Sequence, residues 1–185
     1  MRRGVRQAVH QAASLLLSYP GDDWPDRLAL VRDALGPLRA EPARLLGGFC
    51  AEAAALDPIA AAADYVTTFD RSGRRTLHLT YYSDGDTRRR GQSLLEIKSV
   101  YRAHGWQPEG RELPDFLPLM LEFAARVPRA GERLLRDHRP GLDLLLAGLM
   151  TARSRYCSVV EAVRMTLPAA RRLPQISEVS GGVRS

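Results

Sequence analysis

The chain has 185 residues, of which 45% are hydrophobic and 26% are charged. A chain of this length can bury one hydrophobic core without disulfides or a structural metal, and these fractions exclude a wholly disordered protein. The formal net charge of +6 raises the question of a nucleic-acid partner, but Lys98 is the only lysine and the excess is therefore almost all arginine. A GC-rich genome produces the same bias, so charge alone assigns no function.

The N-terminal stretch superficially resembles an export signal, because Arg2 and Arg3 precede an apolar run. Polar residues interrupt this run at helical intervals, which favours an amphipathic helix over a signal: Gln7, His10, Gln11 and Ser14. No segment approaches the roughly 20 apolar residues that span a bilayer. We therefore expect a cytoplasmic protein without membrane insertion.

Apolar residues recur at three- and four-residue spacing along most of the chain, which predicts helices. Asp57 and Pro58 are typical of an N-cap and a first helical position, and Gly105 is typical of a helix end. In chain order the helices are predicted over residues 5–18, 25–36 and 42–55, from Pro58 to Phe69, over 87–104, from Pro114 onward, over 130–153 with a break near Pro140, and over 155–167.

Residues 70–86 lack this periodicity. Turn residues surround an alternating stretch, 76–82, whose composition favours β geometry but has no partner strand in the sequence. We expect an extended loop that crosses the helices. The prediction is an all-α, single-domain bundle of about seven to nine helices over residues 1–167, with one irregular loop near 70–86 and a polar, flexible tail over 168–185.

Motifs of catalysis and metal binding are missing from the sequence. It has no P-loop, no dinucleotide fingerprint and no nucleophile elbow, and its four histidines are scattered. Cys50 and Cys157 belong to no Cys-x-x-Cys pair, which argues against a disulfide scaffold, a zinc site or a redox pair. Asp84 and Asp86 flank a glycine as in a calcium loop, but arginines stand at the next ligand positions. We expect that the chain is not an enzyme and that it binds no cofactor tightly.

A series of short motifs nevertheless occurs in a recognisable order over about 100 residues. The motifs are Leu56-Asp57-Pro58, Tyr65-x-x-x-Phe69-Asp70, Leu77-His78-Leu79-x-Tyr81, Asp84-Gly85-Asp86-Thr87-Arg88-x-Arg90-Gly91, Tyr101-x-x-x-Gly105, Glu112-Leu113-Pro114-Asp115-x-Leu117-Pro118, Leu121-Glu122-Phe123 and Ser154-Arg155-Tyr156. With these motifs in this order, the chain resembles the nitrate reductase molybdenum cofactor assembly chaperones, the NarJ family, within the wider group of helical chaperones for molybdenum enzymes.

This resemblance implies an all-helical chaperone, a monomer or weak dimer, that binds the N-terminal segment of the nitrate reductase catalytic (alpha) subunit. It further implies that the chaperone holds the subunit competent for insertion of the molybdenum–pterin cofactor and delays its attachment to the membrane subunit. One departure stands out: the family motif that begins Pro114-Asp115 usually continues with His, and this chain has Phe116.

The groove for the partner segment is expected around residues 70–85 and 112–122. Its apolar wall would come from aromatic and aliphatic side chains that could equally be plain core: Tyr65, Phe69, Leu79, Tyr81 and Tyr101. Asp115 either caps the helix that follows or contacts the partner, and Glu122 faces either the partner or a local arginine. Arg88 and Arg90 are either rim charges or solvated, and Phe116 completes the candidate set.

Two other functional classes stay open on the sequence alone. The arginine excess is compatible with a basic helical regulator that binds nucleic acid, and such binding would weaken steeply with added salt. An enzyme with an unrecognised site would need a deep pocket with several perturbed acids.

Overall fold

Ten α-helices account for most of residues 1–108 and 110–168, which the computed structural model describes. This architecture confirms the predicted all-α class, and the predicted tail lies outside the described residues from 169 onward. The helices are α1 (Arg3–Leu17), α2 (Trp24–Leu35), α3 (Glu41–Ala54), α4 (Pro58–Tyr65), α5 (Thr80–Asp84), α6 (Arg88–Ala103), α7 (Leu117–Arg126), α8 (Pro128–Asp137), α9 (Arg139–Thr151) and α10 (Cys157–Thr166).

Helix α1 lies at the centre of the bundle and packs against α7, α10 and α2, while α3 packs against α10 and α2. The inward face of α1 is fully buried at Val9, Leu16 and Leu17. Each such side chain contributes about 1.5–3 kcal/mol of burial free energy. None of the helices in the described part of the chain is both long enough and apolar enough to cross a membrane.

Local signals set several helix ends as the sequence predicts. The Asp57 carboxylate accepts a hydrogen bond from the backbone N–H of Ala60 at 2.9 Å, and Pro58 takes the first position of α4, where no N–H is needed. Gly105 follows α6 with φ +65°, a conformation that suits glycine. The helix predicted over residues 130–153 is two helices, α8 and α9, that meet at His138.

The segment between α4 and α6 is irregular, as predicted, but part of it is helical. Helix α4 continues into a π-helical turn, Val66–Asp70, and a 3-10 turn, Gly73–Arg75, follows. His78 then forms a single antiparallel bridge with Phe116, and the chain turns into α5. The pairing stays a single bridge because the chain enters α5 at Thr80 on one side and α7 at Leu117 on the other.

Candidate partner-binding groove

The Asp115 carboxylate organises the loop that carries most of the candidate residues. It is fully buried and accepts hydrogen bonds from His78 Nδ1 at 3.0 Å, Thr80 Oγ1 at 2.6 Å and the Thr80 backbone N–H at 3.2 Å. An Arg90 guanidinium nitrogen lies 3.6 Å from the same carboxylate. Donors from residues 78–90 therefore satisfy a carboxylate that would be costly to bury alone.

These contacts also set the ionisation of Asp115. Burial alone would raise its pKa, but the hydrogen bonds from His78 and Thr80, together with the charges of His78 and Arg90, outweigh burial and hold the pKa below its ordinary value. The side chain is thus an ionised anchor for the loop.

Two sequence predictions fail at this cluster. Asp115 does not cap α7: the N-cap residue is Phe116, and no side chain caps the helix. The carboxylate is instead engaged by donors of the preceding segment. Arg90 is not solvated, the second of the two roles predicted for it, because its side chain is only 18% exposed and turns towards Asp115.

Backbone hydrogen bonds complete the attachment of this loop. The N–H of Leu79 donates to the carbonyl of Asp115 at 3.1 Å, and the N–H of Leu117 donates to the carbonyl of Leu77 at 2.8 Å. Together with the buried carboxylate, they fix residues 77–80 against the start of α7. His78 and Phe116 are thereby held side by side, with ring centroids 5.4 Å apart.

A groove of about 480 Å³ opens beside this pair, between the end of α1, the π-helical turn and the start of α7. Tyr19 is 53% exposed and meets the ring of Tyr65 edge-on at 5.4 Å. The Tyr65 hydroxyl donates to the carbonyl of Leu17 at 3.0 Å, which fixes this wall to α1. The lining residues are Ser14, Ser18, Tyr19, Tyr65, Asp70, His78, Glu112, Phe116, Pro118, Leu119 and Glu122.

The groove is acidic although the chain is basic. Asp70, Glu112 and Glu122 line it, and its described lining contains no lysine or arginine. Glu122 also forms an ion pair with Arg126 at 2.8 Å, so the local arginine partner is confirmed for a carboxylate that also lines the groove. A cationic side chain in this groove would meet carboxylates and the faces of aromatic rings.

The structure brings three of the predicted site residues to the groove: Tyr65, Phe116 and Glu122. Three others lie, like Tyr65, in the hydrophobic core but do not line the groove: Phe69, Leu79 and Tyr101. Tyr81 is 36% exposed and lies under the Arg90 guanidinium, and Arg88 is exposed; both are outside the groove lining.

Sequence reasoning missed several lining residues, above all Tyr19, His78 and Glu112. His78 and Glu112 belong to the quoted motifs, so their positions offered a signal. Tyr19 sits between the end of a predicted amphipathic helix and Pro20, where a large exposed aromatic is unusual.

A groove between the helices of an all-α bundle is a geometry that binds amphipathic segments of other proteins. Residues 32–160 match the family described as nitrate reductase delta subunit, and the chain belongs to this family. The resemblance drawn from the sequence motifs is thus confirmed.

Curated relatives agree with this assignment. The chain is 43% identical over 159 residues to the nitrate reductase-like protein NarX of Mycobacterium tuberculosis strain H37Rv, a match that covers 85% of this chain but 24% of the relative. It is 40% identical over 124 residues to the probable nitrate reductase molybdenum cofactor assembly chaperone NarJ of Bacillus subtilis, covering 65% of this chain and 66% of the relative. NarJ of Escherichia coli K12 is 40% identical over 120 residues, with 64% of this chain and 51% of the relative covered.

Among solved structures, the chain is similar to a redox enzyme maturation protein of Archaeoglobus fulgidus, described there as putative. The TM-score is 0.65 at 22% identity, and the match covers 86% of this chain and 92% of that one. At this identity the similarity supports the fold alone.

Proposed function

We propose that the chain is a chaperone that binds the immature catalytic subunit of a respiratory nitrate reductase through that subunit's N-terminal segment. Family membership supports the class of partner, and the relatives from B. subtilis and E. coli are named as chaperones of this kind. The observation that carries the proposal is the groove, which joins aromatic rings, among them the exposed Tyr19, to three carboxylates.

This groove suits an amphipathic segment with basic residues. Apolar side chains of such a segment would contact Tyr19, Tyr65 and Phe116, and its cationic side chains would pair with Glu112 and Glu122. The partner must later leave the chaperone, which favours a contact of moderate lifetime.

In this role the chain acts by binding and not by catalysis. It holds the catalytic subunit open for insertion of the molybdenum–pterin cofactor and delays its association with the membrane subunit, both of which are cytoplasmic steps. The cofactor is cargo for the partner. Within residues 1–108 and 110–168, no group of three or more His, Cys, Asp or Glu side chains is arranged to hold a metal.

The test is calorimetric titration of the full chain with a synthetic peptide of the partner's N-terminal segment. Two single variants remove features of the groove at exposed positions: Tyr19→Ser removes an aromatic wall, and Glu112→Lys reverses a charge. We expect each to weaken binding about tenfold, as for interface anchors. Glu96→Lys on the exposed face of α6 makes the same charge change away from the groove. Its dissociation constant for the peptide should stay within about twofold of the wild-type value.

Circular dichroism and melting temperatures would verify that each variant folds. No heat with the wild-type chain, or equal weakening by Glu96→Lys, would sink the proposal. Retarded DNA in a gel shift, with affinity falling steeply as salt is added, would instead support the nucleic-acid regulator.

A further inference from the structure

A second and larger cavity, of about 750 Å³, lies on the other side of the π-helical turn from the groove. Tyr65 and Asp70 line the groove, whereas Thr67 and Thr68 line this cavity. Its remaining walls come from the end of α3, from Asp64 of α4, from Arg75 of the 3-10 turn and from the turn between α9 and α10. The two cavities therefore share the turn Val66–Asp70 but have no lining residue in common.

Three guanidinium groups line this cavity: Arg75, Arg153 and Arg155. Arg75 comes from the arginine-rich stretch that follows the π-helical turn, and the other two come from the turn before α10. The fold thus collects arginines that are almost 80 residues apart in sequence. The hydroxyls of Thr68 and Ser154, 3.5 Å from each other, lie in the same wall.

Arg153 adopts a backbone conformation that is unfavourable for its residue type. Its φ is +52°, and it is the single non-glycine residue with positive φ among those described. The N–H of Arg153 donates to the carbonyl of Met150 and that of Ser154 to the carbonyl of Leu149, a helix ending that normally places glycine at this position. Glycine would end α9 with less strain, so the arginine carries a conformational cost at this position.

The charges in the cavity are only partly neutralised. Arg155 lies 3.0 Å from the Asp64 carboxylate. The Arg75 guanidinium is held rigidly by the carbonyls of Thr68 at 2.7 Å and Thr67 at 3.2 Å, which leave its charge intact. Within the described residues neither Arg75 nor Arg153 forms an ion pair, and Glu52 is the one other carboxylate in the lining. The cavity therefore retains an excess positive charge.

We propose that this cavity binds the phosphate group of a small phosphorylated molecule, with Arg153 and Arg75 as the cations that contact it. Guanidinium groups donate paired hydrogen bonds that match phosphate oxygens, and the Thr68 and Ser154 hydroxyls add further donors. The volume lies within the range of small-molecule sites and exceeds what a bare anion needs. This site is independent of the partner groove, and either could exist without the other.

The experiment uses the full chain and inorganic pyrophosphate as the probe. Calorimetric titration and the melting temperature would be recorded with pyrophosphate and with sulfate at matched ionic strength. We expect pyrophosphate to bind and to raise the melting temperature, and sulfate to do so far less. Arg153→Gly should weaken pyrophosphate binding about tenfold or more. Its melting temperature without ligand should equal or exceed that of the wild type, because glycine suits the positive φ.

A matched control removes one arginine elsewhere. Arg136→Ala, at an exposed position of α8, deletes the same charge and should leave pyrophosphate binding within about twofold. Equal stabilisation by sulfate and pyrophosphate, or unchanged binding in Arg153→Gly, would overturn the proposal. Neither result would bear on the partner peptide, whose binding is measured separately.

Discussion

At the scale of the residue, Asp115 determines how the candidate site is built. Its donors His78 and Thr80 lie 37 and 35 residues away in sequence, on a segment that would otherwise be attached by two backbone hydrogen bonds. Burying a carboxylate with this many partners costs little folding free energy while the partners are present. Removing one partner leaves a buried charge unsatisfied and destabilises the fold strongly.

Asp115→Asn tests this anchoring role. The amide keeps the size of the side chain but loses the charge and half of the acceptor capacity that Thr80, His78 and Arg90 require. We expect the free energy of unfolding, measured with urea, to fall by about 2–3 kcal/mol. Asp86→Asn is the matched control because the Asp86 side chain is 92% exposed, and it should change the value by less than about 0.5 kcal/mol. A similar loss in both variants would contradict the anchoring role.

The candidate site could be predicted only in part from the sequence, for reasons visible at single residues. Tyr65, Phe116 and Glu122 were found because they lie within or beside recognisable motifs. The function of Asp115 was missed because a short polar residue before a helix has the local pattern of a cap, while its true donors are distant in sequence. Arg90 was predicted to be a rim charge or a solvated side chain for the same reason: local periodicity carries no information about a buried carboxylate on another element.

At the scale of the element, the helices were predictable because apolar periodicity and end signals agree with each other. The exceptions have tertiary causes. Ile59 is an apolar residue of the predicted helix that begins at Pro58, but it is 82% exposed, since α4 is short and presents Ala61 and Tyr65 to the core. Helix α5 was predicted as extended chain because its aromatic and threonine content favours β geometry. In the structure the neighbouring segment pairs with this region at one residue only, Phe116, which bridges to His78, so no strand forms.

Helices α7 and α8 pack so closely at Gly131 that an added methyl group should destabilise the fold. A Cβ atom on Gly131 would lie 2.7 Å from the backbone nitrogen and from the Cβ of Ala124, too close for either helix to accept without moving. Gly131→Ala should therefore reduce the free energy of unfolding by roughly 2–3 kcal/mol, although alanine favours helices. Gly91→Ala in α6, where nothing lies within 4 Å of the added atom, should instead stabilise by about 0.5–1 kcal/mol. Urea denaturation of both variants checks the opposite signs, and stabilisation by both would contradict the packing.

At the scale of the whole molecule, α1 and α10 are joined through a histidine that cannot be protonated without cost. His10 is fully buried, and one ring nitrogen, Nε2, lies 2.7 Å from Thr166 Oγ1. Burial is the main cause that lowers the pKa of His10 to about 4. The neutral imidazole is thus part of the core of the bundle.

This lowered pKa makes global stability depend on pH in a defined direction. Between pH 6.5 and 4 the unfolded chain binds a proton at His10 that the folded chain does not, so the free energy of unfolding falls as pH falls through this window. From pH 7 to pH 5 we expect a loss of about 2 kcal/mol from His10 alone. Over this pH range the free energy of unfolding of His10→Gln should fall by less than that of the wild type. His104→Gln, at an exposed position, should show the same fall as the wild type. Parallel curves for wild type and His10→Gln would exclude the effect.

The wall of the groove belongs to the same aromatic column that fills the centre of the molecule. The ring of Tyr65 contacts Tyr19 on its outer side and Phe69 and Tyr156 on its inner side, and Tyr156 in turn meets Phe49. The groove wall is thus continuous with the core as far as Phe49 of α3 and Tyr156 at the start of α10. A peptide that binds this wall only in the folded state would raise the melting temperature of the whole domain, so occupancy of the groove can be followed by thermal denaturation.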